Sequence, residues 1–313
     1  MQTILTKIPT IAAEFIRNGG AVAFPTETVY GLGANIFDEI AVAKIFEAKR
    51  RPADNPLIAH IGSLDQIGEL ALDLPEAAQQ LIDAFFPGPL TLVLKKSTRV
   101  PRIATAGLDT IGVRMPGNAV ANEFLKSCGT PVAAPSANIS GRPSPTTWEA
   151  VFDDLDGRID CILQGGATTI GLESTVVDCT SGHPMVLRTG AVSIESLREI
   201  VPSTRPFEPG QDDTIRSPGL KHKHYAPDAR VVIVNAGFEI PNASESTFIG
   251  LERPGGKLAL VKICSSADEY AHSVFAFFRE SDKRNIETIY CQAVEERGIG
   301  VALMDRLRRA ESS

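Results

Sequence analysis

Residues 45–61 read IFEAKRRPADNPLIAHI: a helical run ends in Lys49, Arg50 and Arg51, a proline stops it, and an apolar strand follows. Cations suit the last turn of a helix, so a solvated helix end is one reading of this joint. An oxyanion pocket is the other, because Arg offers forked hydrogen bonds and Lys a compact charge. Three further segments carry polar density directly after apolar runs: PTET (25–28), APSANISGRPSPTT (134–147) and GLESTVVD (171–178). Ser, Thr and Asn also cap helices and make turns, which is enough to explain any one such loop. Three loops, the KRRP joint and the strand-borne Arg114 and Arg188 together suit a ligand with phosphates and a carboxylate. His60, alone in a strand, is by default a satisfied core residue, and its place just past the joint makes it a ligand candidate. KHKHY (221–225) reads as solvated linker, or as a flap folded over a neighbouring pocket.

These groups need a scaffold that gathers them. Helical spacing over 9–18, 38–50 and 75–86 alternates with strand-like runs at 21–25, 56–61, 90–96, 110–116, 131–137 and 161–166. Residues 174–180 and 185–190 read as two strands across an SGHP turn. The interleaving predicts an α/β domain over roughly 1–202, with loops at strand ends as the ligand-binding edge. Residues 203–229 are rich in Pro, Gly and charge and read as a linker, and long irregular segments of this kind are often functional. From 230 a second α/β pattern begins, sized for a three- or four-stranded sheet. Gly31-Leu32-Gly33-Ala34-Asn35-Ile36 starts like a dinucleotide fingerprint but lacks its third glycine, so Gly31 and Gly33 are expected to be turn residues letting the backbone pass a ligand or another strand. No phosphate-binding G-x-x-x-x-G-K-[ST] is present.

Composition bounds the rest. The 313 residues carry a net charge of −7, which disfavours bulk attraction to nucleic acid or anionic membrane, so any polyanion must meet a local cationic pocket. Five scattered cysteines with no C-x-x-C pair predict reduced thiols in a cytoplasm and no structural zinc. No apolar run approaches membrane-spanning length, and the first residues do not read as a secretory signal.

PTETVYGLGA, KRRPADNPLIAHI, FPGPLTLVL, APSANISGRPSPTT and SPGLKHKHYAP, in this order, resemble the Sua5/YrdC/YciO family in its two-domain form, over essentially the whole chain. The resemblance implies a YrdC-like twisted open α/β sheet with a concave cationic cavity (1–202), a linker acting as active-site lid (203–229) and a smaller Rossmann-like Sua5 domain (230–313). It implies synthesis of L-threonylcarbamoyladenylate and pyrophosphate from L-threonine, bicarbonate or CO2, and ATP, with Mg2+ carried by ATP. The product would pass to a separate transferase complex for t6A37 modification of tRNAs reading ANN codons; direct tRNA contact is left open, and no membrane is involved. The signature K-x-R…S-x-N stands as Lys49, Arg51, Ser136 and Asn138. Carried over, the threonine site comprises Thr28, His60, Arg114, Ala134 and Ser174. The ATP site comprises Arg51, Asn55, Thr110, Ser136, Ser144, Arg188 and Tyr225. Arg50 sits where many relatives have a small residue and is expected to face solvent.

In the implied chemistry Lys49, Arg51 and Arg188 stabilise the phosphoryl charge, and Arg114 clamps the threonine carboxylate. Two rivals carry less. A non-catalytic RNA-binding module is disfavoured by the intact signature and the acidic charge. Carbamoyl transfer of the hydrogenase-maturation kind is disfavoured by the absence of zinc-finger and acylphosphatase segments.

Overall fold

The structure, a computed structural model, describes residues 2–207, 226–240 and 243–312. Among the described residues eleven strands pair into one mixed sheet: β1 (Ile4–Thr6), β2 (Val22–Phe24), β3 (Gly31–Asn35), β4 (Ile58–His60), β5 (Leu90–Lys95), β6 (Thr110–Arg114), β7 (Val132–Ala134), β8 (Cys161–Leu163), β9 (Thr175–Asp178), β10 (Met185–Arg188) and β11 (Arg205–Pro206). Their order is β1-β8-β2-β3-β7-β4-β6-β5-β9-β10-β11. The strands are short and apolar because both faces are covered. Side chains alternate between the faces, as the pleat requires. Val22, Phe24, Val132, Cys161 and Leu163 pack on the helices Pro9–Arg17 and Ala119–Cys128. Ala23, Ala133 and Ile162 face the opposite core, which holds Val42 and Ile45 of the helix Glu39–Lys49.

The GLGAN stretch is not a turn but a strand, β3, antiparallel to both β2 and β7. Its glycines serve packing: a Cβ on Gly33 would meet Val132 Cγ1 at 2.5 Å and the Phe24 ring at 2.9 Å. Gly33 thus admits its neighbouring strands, while Gly31 also lines the cavity described below. The expected pair β9 and β10 is antiparallel, and β11 extends that edge with residues 205–206, inside the segment read as linker. Within that segment, 208–225 lie outside the described residues.

Four strands form the second sheet: β12 (Arg230–Val234), β13 (Ala243–Gly250), β14 (Leu258–Ile263) and β15 (Thr288–Gln292), all parallel in the order β12-β15-β13-β14. Its core joins Ile249 and Ile289 to Tyr270, Phe275 and Phe278 of the helix Ala267–Lys283 and Leu303 and Leu307 of the helix Ile299–Glu311. Val29 and Leu172, from the first part of the chain, complete this cluster, so apolar packing continues across the seam.

Polar contacts pin the seam as well. His272 Nε2 donates to the Thr168 carbonyl at 2.8 Å, Arg279 pairs with Asp154 at 2.8 Å, and Lys283 pairs with Asp153 at 2.8 Å. Gly171, at φ +82°, lies so close that a Cβ there would stand 2.5 Å from the His272 Cα. Glycine is required twice over, by conformation and by approach.

Candidate active site

Sheet register collects the predicted loops at one edge. His60 pairs with Arg114, Ile58 pairs with both Gly112 and Ala134, Leu90 with Thr175, and Gly31 bridges to Ser136. The result is a cavity open to solvent, lined among others by Thr28, Arg51, His60, Arg114, Ala134, Ser136, Asn138, Ser144, Ser174 and Arg188. Arg142 and Glu173 are also on the wall, and Glu27, which is not, pairs with the wall residue Arg114. Among the described residues four arginines therefore line a cavity in a chain whose net charge is −7.

The KRR joint is resolved by a left-handed residue. Asp38 caps the helix Glu39–Lys49 by accepting from the Ile40 and Ala41 amides, and Arg50 ends it at φ 52° with its side chain exposed. The Arg51 amide then bonds back to the Phe46 carbonyl, closing the helix end as an αL cap does. That reversal sends Lys49 and Arg51 to different places. Arg51 reaches the cavity with Nε donating to the Asn55 carbonyl at 3.2 Å and Nη2 to the Pro56 carbonyl at 3.0 Å.

Lys49 does not line the cavity. It is 1% exposed and lies beneath the Ser136 loop, donating from Nζ to the Ser136 carbonyl at 2.6 Å and the Asn138 carbonyl at 2.5 Å. Burial pushes its ammonium well below the usual lysine range, and the Arg51 guanidinium adds to that. Where the sequence reading put Lys49 among the phosphate-stabilising cations, the structure shows it bracing the Ser136 loop from beneath the cavity wall. Ser136 Oγ donates to Asn138 Oδ1 at 2.6 Å, and Asn138 Nδ2 donates to the Ile139 and Arg142 carbonyls, so the whole S-x-N turn is cross-linked.

On the opposite wall Arg114 donates from Nε to the Gly88 carbonyl at 3.3 Å, from Nη1 to Thr28 Oγ1 at 2.8 Å and from Nη2 to Glu27 Oε1 at 2.6 Å. A guanidinium has five N–H donors, so two are left beyond these three bonds. Burial would raise the Glu27 carboxyl, but Arg114 overrides it and holds the group below the usual range. His60 is buried edge-on to Phe24, with Nδ1 3.1 Å from the Ile58 carbonyl. Burial, then Arg114, pushes its pKa down to about 3. The ring is neutral near pH 7, Nδ1–H is the donor to Ile58, and Nε2 is left as an acceptor.

Arg188 donates to the Ser174 carbonyl at 3.0 Å and to its Oγ at 3.1 Å, while that Oγ also meets Thr91 Oγ1 at 2.8 Å. Ser144 Oγ donates to Glu173 Oε1 at 2.5 Å. Asn55 is buried and touches Arg51 rather than lining the cavity, and Thr110 pairs with Lys95 at the start of β6, away from the wall. Tyr225 lies outside the described residues. The sequence reading assigned no role to Glu27, Arg142 or Glu173, though each lies within a segment singled out for polar density.

Comparison with known proteins identifies the family. The family model described as "Telomere recombination", for Sua5, YciO and YrdC, matches residues 14–190, and "Threonylcarbamoyl-AMP synthase, C-terminal domain" matches 192–312. The threonylcarbamoyl-AMP synthase of Pyrococcus abyssi is 46% identical, covering 96% of this chain and 93% of its own. That of Bacillus subtilis is 38% identical, covering 96% and 91%. A crystal structure of P. abyssi Sua5 complexed with L-threonine superposes with a TM-score of 0.89 at 42% identity, covering 99% of this chain and 97% of the other. With both of its parts matched and its relatives aligned nearly end to end, the chain belongs to the Sua5/YciO/YrdC family, in the two-domain threonylcarbamoyl-AMP synthase form.

Proposed function

We infer that this chain makes L-threonylcarbamoyladenylate from L-threonine, bicarbonate or CO2, and ATP. One observation carries the reading: a carboxylate-ready Arg114 beside a neutral His60 shares a single cavity with Arg51, Arg188 and the Ser136 and Ser144 hydroxyls. The relatives' names and the threonine-bound relative support it.

The threonine carboxylate takes the two remaining donors of Arg114, and the neutral His60 Nε2 accepts a hydrogen bond from the threonine amine or hydroxyl. The amine nitrogen attacks CO2, forming a C–N bond and releasing a proton. A carbamate oxygen then attacks the α-phosphorus of ATP as the bond to pyrophosphate breaks. Arg51 and Arg188 meet the charge that develops on the phosphates, which fixed cations stabilise without reorganising. Carbamates fall apart in water, so shielding by a lid formed from residues 203–229, with Tyr225 over the nucleotide, belongs to the proposal.

Mg2+ would enter on the triphosphate and supply charge neutralisation there. The donor set fits that mode: Glu27 and Glu173 are both engaged by arginines, and among the described residues no three His, Cys, Asp or Glu side chains cluster as metal ligands. Delivery of the product to a separate t6A transferase complex and a cytoplasmic setting complete the reading. The five cysteines, all free and buried, support the latter; among the described residues no helix is long and apolar enough to cross a membrane.

The experiment is direct. Incubation with threonine, bicarbonate and ATP, followed by mass measurement, should show threonylcarbamoyl-AMP and pyrophosphate, both dependent on all three substrates. Nucleotide turnover indifferent to threonine would overturn the assignment.

A further inference from the structure

Arg306 belongs to the helix Ile299–Glu311 of the second domain, yet it reaches the cavity wall. Its side chain is fully buried. Nε donates to Glu173 Oε2 at 3.0 Å, Nη2 to the Thr189 carbonyl at 2.9 Å, and Nη1 to Asp305 Oδ2 at 2.6 Å. Glu173 in turn uses its other oxygen to accept from Ser144 Oγ at 2.5 Å. A carboxylate has no proton to give, so while Glu173 is ionised the serine must be the donor. The hydroxyl has one proton, and that bond takes it. What Ser144 offers the cavity is therefore lone pairs.

A second arginine from the same domain grips the adjoining residue. Arg279 donates from Nε to the Pro143 carbonyl at 3.1 Å while holding Asp154. The Ser144 segment is thus fixed at its backbone by one helix of the second domain and at its hydroxyl, through Glu173, by the other.

We propose that Arg306 is a positioning residue that fixes Ser144 as a hydrogen-bond acceptor, so that this wall receives a donor group of the nucleotide rather than a phosphate oxygen. The donor would be a sugar hydroxyl or the amino group of the base. The proposal deepens the ATP reading above and rests on it. The charged groups around Glu173 are Arg306 and Arg188, with Asp305 behind Arg306. Burial would raise the Glu173 carboxyl, and the two guanidiniums together with the Ser144 hydrogen bond keep it below the usual range. Without Arg306 the carboxyl takes up a proton more readily. Once protonated it can donate to Ser144, and the hydroxyl reverses.

The test is a double-mutant cycle on the full chain, with initial rates of adduct formation against ATP. Arg306→Met and Ser144→Ala should each raise the KM for ATP by ~10-fold or more, the scale of one charge-assisted hydrogen bond. The double variant should be little worse than either single one, because both remove the same oriented acceptor. Arg306→Met should also shift the acid limb of the kcat/KM profile for ATP to higher pH, while Arg306→Lys recovers most of the loss. If Arg306→Met does not fold, Glu173→Gln takes its place in the cycle, since Gln keeps the shape but not the charge. Additive effects, or an unchanged KM for ATP, overturn the proposal. A wild-type chain that forms no adduct overturns the assigned reaction instead, so the two failures are distinguishable.

Discussion

Arg114 Nη2 stands 2.6 Å from Glu27 Oε1, the two side chains only 5% and 11% exposed. The pair, with the bonds to Gly88 and Thr28, fixes the plane of a guanidinium that lines the cavity. Arg114→Lys keeps a charge but loses the fork, and one ammonium cannot serve Gly88, Thr28 and Glu27 and still clamp a ligand. The KM for threonine should rise by ~10- to 100-fold and that for ATP by less than ~3-fold, as expected for loss of a bidentate carboxylate contact. Substrate-saturation curves check this. Equal shifts for both substrates would remove Arg114 from the threonine side.

Lys49 and Arg51, two residues apart, should fail in different ways. Arg51→Ala removes a cation from the cavity and should lower turnover by ~100-fold or more with the melting temperature nearly kept. Lys49→Met leaves the Ser136 and Asn138 carbonyls without their buried donor, which costs about 1–3 kcal/mol for each. Its signature is a lower unfolding midpoint in urea together with weakened ATP saturation. Wild-type stability in Lys49→Met would refute the bracing role.

His60 carries a pH signature. Its folded pKa, about 3, lies below the value of roughly 6.5 for an unfolded histidine. Below the latter pH the unfolded chain binds a proton that the native chain refuses. The contribution to stability is complete above pH ~6.5 and is lost as pH falls toward the folded value, by up to ~1.4 kcal/mol per pH unit. Urea titrations at pH 7, 6 and 5 should therefore show a steeper decline for the wild type than for His60→Asn. Parallel declines would mean that the ring is protonated in the native state.

Arg50 occupies the left-handed cap of the helix Glu39–Lys49 at φ 52° and is exposed. A side chain there costs roughly 1–2 kcal/mol, partly offset in Gly by the greater freedom of the unfolded chain. Arg50→Gly should stabilise the protein by up to about 1 kcal/mol and leave turnover unchanged. A loss of activity would give Arg50 a part in the chemistry.

The sequence showed most of the site because its segments are local: KRRP, the S-x-N turn and the two strand-borne arginines each announce themselves within a dozen residues. What it hid was the direction in which each side chain points. Lys49 looked like an equal partner of Arg51, and only the cap at Arg50 separates them. β3 was hidden for another reason, since its glycines suit a turn until Phe24 and Val132 are seen to need the space. Arg279 and Arg306 left no local signal at all. They are single cations in ordinary amphipathic helices, and their partners Asp154 and Glu173 lie more than a hundred residues upstream.

The missing Cβ at Gly171 sets how much play the two halves of the molecule have. With the backbone of His272 seated directly on it, two residues before Glu173 and three before Ser174, the joint has no side-chain cushion to absorb a rocking motion. A methyl group there would act as a wedge, prising the helix Ala267–Lys283 outward and carrying the strand-end loop with it. That single close approach couples the strand-end loop before Glu173 directly to the backbone of the helix Ala267–Lys283.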